Sequence, residues 1–366
     1  MSDRRYRAAI VGTGGIATAH AEALRRLADR VELVAVADVD LARATSFAER
    51  WEVPHAHESV AELLDAQEVD LVHLCTPPLQ HTPLALLCLR AGATVLVEKP
   101  PTLSLAELDT LAAAEAALSG HVATVFQQRF GSAAVRLRRM AAAGDLGRPL
   151  LATCATLWYR DDDYFAVPWR GTWESEGGGP TMGHGIHQFD LLLSVLGPWR
   201  EVTAVAARQA RPTGTEDLSM ALVTFDNGAV ASVVNSVLSA RQTSAVRFDY
   251  EHATVEVEHL YGYDDRHWTL TPAPGHAALL ADWTAPADNV PSGHSAQLAA
   301  VLDALDRGDP PPVTTADART TMEFVAALYA SAFTGQRVRS GQIRPDDPFA
   351  ARMDGTGAPW KETTAP

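Results

Sequence analysis

Lys99 stands in the segment Glu98-Lys99-Pro100, which closes the apolar run Ala93-Thr94-Val95-Leu96-Val97. Near the N-terminus, Gly12-Thr13-Gly14-Gly15-Ile16-Ala17 fits G-x-G-x-x-A. In such a loop the first glycine permits a tight turn and the second lets a pyrophosphate approach the backbone. The small last residue allows close helix–strand packing, and the helix N-terminus faces the anion. A lysine delivered by the end of a buried strand beside that loop is placed to act on a substrate hydroxyl. Chemistry at a hydroxyl needs a group that moves its proton and a cation near the developing alkoxide. Asp38 ends the strand after the glycine loop, where a carboxylate accepts hydrogen bonds from the adenosine ribose and repels a 2′-phosphate. No arginine immediately follows Asp38 to receive a phosphate, so the pattern favours NAD over NADP.

The elements that must hold these residues alternate along the first 126 residues. Tyr6–Val11, Val31–Ala37, Asp70–Cys75, Ala93–Val97 and His121–Phe126 read as buried strands. Ala17–Ala28, Leu41–Trp51, a segment opening at Ser59, Thr82–Ala91 and Leu105–Leu118 read as helices between them. This pattern predicts an α/β Rossmann domain with a parallel sheet. Arg129–Ala143 reads as a bridging helix ending at Gly144. From Leu150 onward the strand-like runs alternate without intervening helices, with a hairpin turn at Asp226-Asn227-Gly228. One helix, Ile186–Leu196, interrupts them after Gly177-Gly178-Gly179, and two more, His294–Arg307 and Thr315–Phe333, follow late. The expected division is a dinucleotide-binding domain over 1–126 and an α+β domain over 127–345 with a mainly antiparallel sheet, to which the resemblance described below adds an open sheet, substrate binding and oligomerisation. A tail over 346–366 completes it, and Met353–Pro366 reads as loose or partner-wrapping.

Composition narrows the partners. Hydrophobic residues make up 47% of the 366 and charged residues 20%, as in a globular protein with ordinary cores. A formal net charge of −15 opposes binding to nucleic acid or an anionic membrane. No run approaches the ~20 apolar residues of a bilayer span. Cys75, Cys88 and Cys154 form no disulfide framework and read as core filler, and no signal peptide is evident, which points to a reducing cytoplasm. No His/Cys/Asp cluster has metal-ligand spacing, so no metal is expected.

Four motifs in order resemble the Gfo/Idh/MocA family, the group of glucose–fructose oxidoreductase and inositol dehydrogenase. They are the glycine loop Gly12–Ala17, Thr76-Pro77-Pro78-Leu79-Gln80-His81, Ala91 through Pro100 with its Glu98-Lys99-Pro100, and Gly177-Gly178-Gly179 followed by Gly185-Ile186-His187-Gln188-Phe189-Asp190. The resemblance implies that Thr76, Pro77, His81, Glu98 and Lys99 join the glycine loop and Asp38 at the cofactor. It implies that His187 is the catalytic base alongside Lys99, and that members pair through the open sheet as homodimers or homotetramers. By the same resemblance Gln127, Arg129, Tyr159, Trp169, Arg170 and His184 lie near substrate, with Trp173 and His294 as further candidates. Many members carry Asp or Asn four residues before the histidine. Here that place is Gly183, so an inositol-dehydrogenase-like triad is not expected. His184 either supplies a polar contact instead or caps the helix.

The function implied is an NAD-dependent oxidoreductase interconverting a secondary alcohol and a ketone on a sugar, polyol or derivative. Two alternatives remain open at this point. One is an enzyme that uses tightly bound NAD transiently for isomerisation, elimination or glycoside hydrolysis. The other is a non-catalytic dinucleotide-binding regulator, which would need neither Lys99 nor His187.

Overall fold

Six short strands, buried on both faces except for the edge strand β3, organise the first of two compact units in the computed structural model, which describes residues 5–284 and 289–360. They are β1 (Tyr6–Val11), β2 (Val31–Ala37), β3 (His55–His57), β4 (Leu71–Leu74), β5 (Thr94–Val97) and β6 (Val122–Thr124). All pair in parallel, in the order β3-β2-β1-β4-β5-β6. Alternate residues of β1 enter two separate cores, Ala8 and Ile10 in one and Ala9 and Val11 in the other. That is why the run is continuously apolar rather than alternating. The strand order reverses between β1 and β4, so the loops leaving their C-terminal ends frame the crevice where doubly wound sheets bind ligands. Those loops are Gly12–Ile16 and Cys75–Pro77.

Whereas the sequence assigns 127–345 to one body, His294–Arg319 belongs to the first unit. The reason is packing: Leu298 and Leu302 share a core with Ala17, Ala21 and Leu24 of the helix after the glycine loop. Arg30 then clamps Asp303 and Asp306, each at 2.8 Å.

The second unit takes Leu103–Leu105, Phe126–Gly293 and the chain from Thr320 onward. Its sheet contains β7 (Pro149–Tyr159), β8 (Trp199–Ala207), β9 (Leu218–Phe225), β10 (Val230–Ser236), β11 (Leu238–Tyr250), β12 (Ala253–His259), β13 (Trp268–Pro272) and β14 (Val338–Arg339). The order is β13-β12-β11-β7-β10-β9-β8-β14, antiparallel except for the β7–β10 pair. Gly228, at φ +88°, turns β9 into β10 in the predicted hairpin. The helix Ile186–Leu196 buries Phe189 and Leu192, while Val205, Met220, Leu222 and Val230 of the sheet are exposed.

The tail departs from its expected looseness as far as residue 360. Met353 is buried, and Trp360 donates to the Gly214 carbonyl at 2.9 Å with its ring beside Phe333 and Trp173. Aromatic burial holds this segment against its own unit; residues 361–366 lie outside the described residues. All three cysteines are buried and unpaired with one another, and burial pushes the thiols of Cys88 and Cys154 up to about 12. None is a nucleophile at neutral pH. Among the described residues no helix is long and apolar enough to cross a membrane.

Candidate functional site

Gly12 has φ +84°, and a Cβ there would lie 2.9 Å from the Cys75 carbonyl and the Thr76 nitrogen. Only glycine fits that close passage between the two loops. Gly14 and Gly15 differ: both are exposed, and an added Cβ would meet nothing within 4 Å. Their backbone edge is an open cradle ahead of the helix Ala17–Arg26, and the buried Ala17 lets that helix sit close to the sheet. The residues present therefore fit a dinucleotide pyrophosphate.

Asp38 ends β2 and is almost fully buried. Its Oδ2 accepts from the Thr13 amide (2.8 Å) and hydroxyl (2.9 Å), and Oδ1 accepts from the Asp40 amide (3.0 Å). Arg43, in the first turn of the helix Leu41–Trp51, adds a fork: Nε donates to Oδ2 at 3.0 Å and a terminal nitrogen to Oδ1. Burial opposes ionisation here, but the bonds from Arg43, Asp40 and Thr13 outweigh it and hold the carboxyl down at about 2. Asp38 is thus an anion at neutral pH. The absence of an arginine directly after it misleads, because helical geometry returns one five residues on.

The Glu98 side chain turns into the unit. Its Oε1 accepts from Nε2 of His20 at 2.9 Å and of His294 at 3.0 Å, and Oε2 accepts the Lys99 amide at 3.1 Å. His20 meets His73 nitrogen to nitrogen at 2.7 Å. Burial works against the Glu98 charge, yet the two imidazole donors keep its carboxyl well below the usual range. His81 is fully buried, with Nδ1 2.8 Å from the Pro100 carbonyl and Nε2 2.8 Å from that of Thr76. The polar atoms of Glu98 and His81, both expected at the cofactor, already have partners inside the unit, His81 tying the Thr76 turn to the Pro100 turn. Lys99 itself is half-buried at the end of β5.

In the second unit the glycine run is a packing device. A Cβ at Gly178 would strike Tyr329, and one at Gly179 would strike Glu216. Buried Glu216 accepts from the Gly179 and Thr181 amides at 3.0 Å and from the Tyr329 hydroxyl at 2.8 Å, which anchors the loop. Thr181–Gly185 then winds as a wide π-type turn into the helix Ile186–Leu196, a local irregularity common at functional sites. His187 is buried, with its ring edge-on to Tyr261 at 5.7 Å, and the Tyr261 hydroxyl accepts from Gln127. His184 lies edge-on to Trp158 at 5.0 Å and beside Tyr164 at 6.0 Å. Gly183 faces open space.

Two of the expected pocket residues are engaged within the protein. Arg129 forks onto buried Asp190, and Thr321 adds a bond to the same carboxylate at 3.3 Å, so this pair fixes the helix from within. Trp173 donates to the Gly214 carbonyl at 2.9 Å and packs against Tyr329 and Phe333, a core position. Arg170 instead lies over Tyr164 (3.9 Å) and Trp169 (4.4 Å), and Arg211 lies over Tyr159 (5.0 Å).

Residues 6–126 match the model of an oxidoreductase family with an NAD-binding Rossmann fold, and residues 134–257 match the GFO/IDH/MocA C-terminal domain. The chain belongs to this family. It is an oxidoreductase-family chain with an NAD-binding Rossmann domain. It is 28% identical over 366 residues to D-glucoside 3-dehydrogenase of Escherichia coli, a match spanning 92% of this chain and 98% of that one. It is 32% identical over 239 residues to inositol 2-dehydrogenase 4 of Saccharopolyspora erythraea, spanning 64% and 67%. Among solved structures, the WlbA dehydrogenase of Chromobacterium violaceum, in complex with NADH and UDP-GlcNAcA, superposes with a TM-score of 0.81 at 28% identity, covering 93% of this chain and 97% of that one.

Within this GFO/IDH/MocA chain the first unit places Gly12, Thr13, Gly14, Gly15, Asp38, Thr76 and Lys99 just past the C-terminal ends of β1, β2, β4 and β5. The second brings Gln127 and His187 to Tyr261 and brings His184 and Arg170 to Tyr164, with Trp169 beside Arg170, while Tyr159 lies apart under Arg211. The sequence reading missed Arg43, His20, His73, Glu216, Trp158, Tyr164 and Tyr261. Their contacts join distant segments, and only the position of Arg43, one helical turn past a strand-end acid, carried a local signal.

Proposed function

We propose that this chain oxidises a secondary alcohol of a sugar, polyol or close derivative, or reduces the corresponding ketone, with NAD as hydride partner. The observation that carries the proposal is the loop cluster of the first unit. An open glycine cradle, an ionised Asp38 and Lys99 at a strand end lie on one Rossmann sheet. The names of the curated relatives, dehydrogenases of glucosides and inositol, support the substrate class. Lys99 and His187 are the proposed catalytic pair.

A bound nicotinamide supplies the hydride acceptor. The Lys99 ammonium holds the substrate oxygen and stabilises the negative charge that grows there as hydride leaves the carbon. His187 accepts the hydroxyl proton at a ring nitrogen and returns it when the ketone is reduced. Tyr159, Trp169 and the Trp158–His184–Tyr164 wall offer flat apolar faces to a sugar ring, with Gln127 and Arg170 as polar contacts. The exposed apolar face of the second sheet supports a homo-oligomer, and the three reduced cysteines suit the cytoplasm.

The test is a panel of sugars, polyols, glucosides and nucleotide-linked sugar acids, each with NAD and NADP, read at the nicotinamide absorbance. At least one compound is expected to reduce NAD. Turnover without any absorbance change would instead favour transient use of a held cofactor, and failure to bind NAD at all would overturn the proposal.

A further inference from the structure

Four titratable side chains from four separate elements converge inside the first unit. His20 is on the helix after the glycine loop, His73 on β4, Glu98 just past β5, and His294 opens the helix His294–Arg307. His20, His73 and Glu98 are buried, and the His294 side chain is 9% exposed. Both oxygens of Glu98 are used, Oε1 by the two imidazoles and Oε2 by the Lys99 amide.

Proton positions follow from burial and geometry. Burial, together with its histidine neighbours, holds the His73 pKa well down, and burial also lowers that of His20 against the pull of Glu98. With both rings neutral, His20 presents Nε2–H to Glu98, and its Nδ1 must accept from Nδ1–H of His73. The chain of donors therefore runs one way, from β4 through the glycine-loop helix to the carboxylate beside Lys99. His20, Glu98 and His294 also form a set of metal-competent atoms lying within 4.8 Å of one another. Their contacts of 2.9 and 3.0 Å are hydrogen-bond distances, shorter than the ~3.3 Å between ligand atoms that tetrahedral zinc at ~2.0 Å requires.

We propose that His20 and His294 are positioning residues. Acting through Glu98, they fix the backbone at Lys99 in register with the glycine loop, so that cofactor binding and the reacting lysine share one rigid frame. The physical advantage is directional. A carboxylate held by donors on two helices has its rotamer fixed, and its second oxygen then fixes the amide that follows.

This inference rests on the reading of Lys99 as the group acting on the substrate hydroxyl, and a double-mutant cycle separates the two. The variants are His294→Ala, His294→Gln, Lys99→Met and the Lys99→Met/His294→Ala pair, assayed for kcat, KM and NADH affinity on a substrate found in the panel. His294→Ala should lower kcat about tenfold or more, the scale of a small misplacement at a reacting group, while NADH affinity changes less than about threefold. His294→Gln should recover most of that loss, because its amide nitrogen still donates to Glu98. The double variant should be no slower than Lys99→Met alone. Should His294→Ala fail to fold, Glu98→Gln tests the same link with an isosteric side chain and should show the same selective loss of kcat.

Full kcat in His294→Ala beside a slow Lys99→Met would overturn the positioning role and leave the reading of Lys99 intact. Full kcat in Lys99→Met would overturn both. Additive losses, a glutamine variant as slow as alanine, or stoichiometric metal by elemental analysis that His294→Ala loses would each overturn the positioning role.

Discussion

Arg43 grips Asp38 through both carboxylate oxygens, reaching back from the first helical turn after the strand that ends in this acid. With Thr13 and the Asp40 amide, the carboxylate accepts five bonds, which fills its roughly four lone-pair sites. A ribose diol must therefore displace Arg43, whose side chain is half exposed and free to swing outward.

The first prediction concerns cofactor choice. The natural protein should bind NAD(H) more tightly than NADP(H), because Asp38 is ionised and repels a 2′-phosphate. Asp38→Ala should narrow the gap, a charge-assisted bond being worth about 1.5–3 kcal/mol. Arg43→Met should act oppositely, freeing Asp38 for the ribose and removing the cation beside Asp38 that a 2′-phosphate would meet, so that NAD tightens and NADP weakens. Titration by fluorescence or calorimetry measures all four affinities, and equal or stronger NADP binding by the natural protein would sink the claim.

The second concerns Lys99. Replacement by methionine keeps length and apolar packing but removes the cation, so turnover should fall ~100-fold or more, the usual scale for a positioned acid–base group. NADH affinity should change far less. Retained turnover in a folded variant would reduce Lys99 to scaffolding.

Much of this was legible in the sequence, and the reason is locality. Glycine loop, strand-end acid and strand-end lysine each belong to a single βα step, where motif and period suffice. The helix at Ile186–Leu196 was found for the same reason. What stayed hidden needs the tertiary fold. β3 is three residues of His-Ala-His, with no apolar run to announce it, and β14 is two residues long. The amphipathic stripe of His294–Arg307 says that the helix packs but not that it returns to the first unit. The Glu98 network joins residues 20, 73, 98 and 294, so no spacing rule finds it. The pairing of Arg129 with Asp190 of the motif helix spans 61 residues, so no local spacing announces it.

A third prediction links Glu98 to acid stability. Its folded pKa lies below the ordinary glutamate value, so ionised Glu98 stabilises the fold above the unfolded pKa of about 4.3. That contribution is lost as pH falls through the folded value. Glu98→Gln, which mimics the protonated state, should therefore be less stable than the natural protein at pH 7, and the gap should close as pH drops below the glutamate range. Denaturation midpoints measured across pH 3–7 give the answer; a constant gap would mean that charge is not what Glu98 contributes.

The fourth concerns assembly. Val205 pairs across from Met220, and Leu222 lies two residues further along the same face of β9, with exposures of 60%, 50% and 68%. A patch of this kind on a sheet face is costly in water, which supports the proposed homo-oligomer. Leu222→Asp should lower the oligomer mass seen by light scattering while leaving the circular dichroism spectrum unchanged. An unchanged mass would place the interface elsewhere.

The last concerns the histidine pair and the glycine before it. His187 sits edge-on to Tyr261 and is buried, whereas His184 belongs to the wide turn and packs on Trp158. As the base, His187 must be neutral to accept a proton, so oxidation should rise with pH along a limb that depends on this residue. His187→Ala should cost turnover heavily and abolish that limb, while His184→Ala should act mostly on substrate KM. Gly183 has open space where a side chain would go, so Gly183→Asp fits without displacing a neighbour. A carboxylate reaching His187 favours the imidazolium, which would move the limb to higher pH. The π-type winding of Thr181–Gly185 decides whether it reaches, since it rotates residue 183 away from the ordinary i, i+4 alignment with 187. A limb that shifts upward in Gly183→Asp and vanishes in His187→Ala assigns the titration to His187. Indispensable His184 beside a neutral His187 would mean that the base is the other histidine.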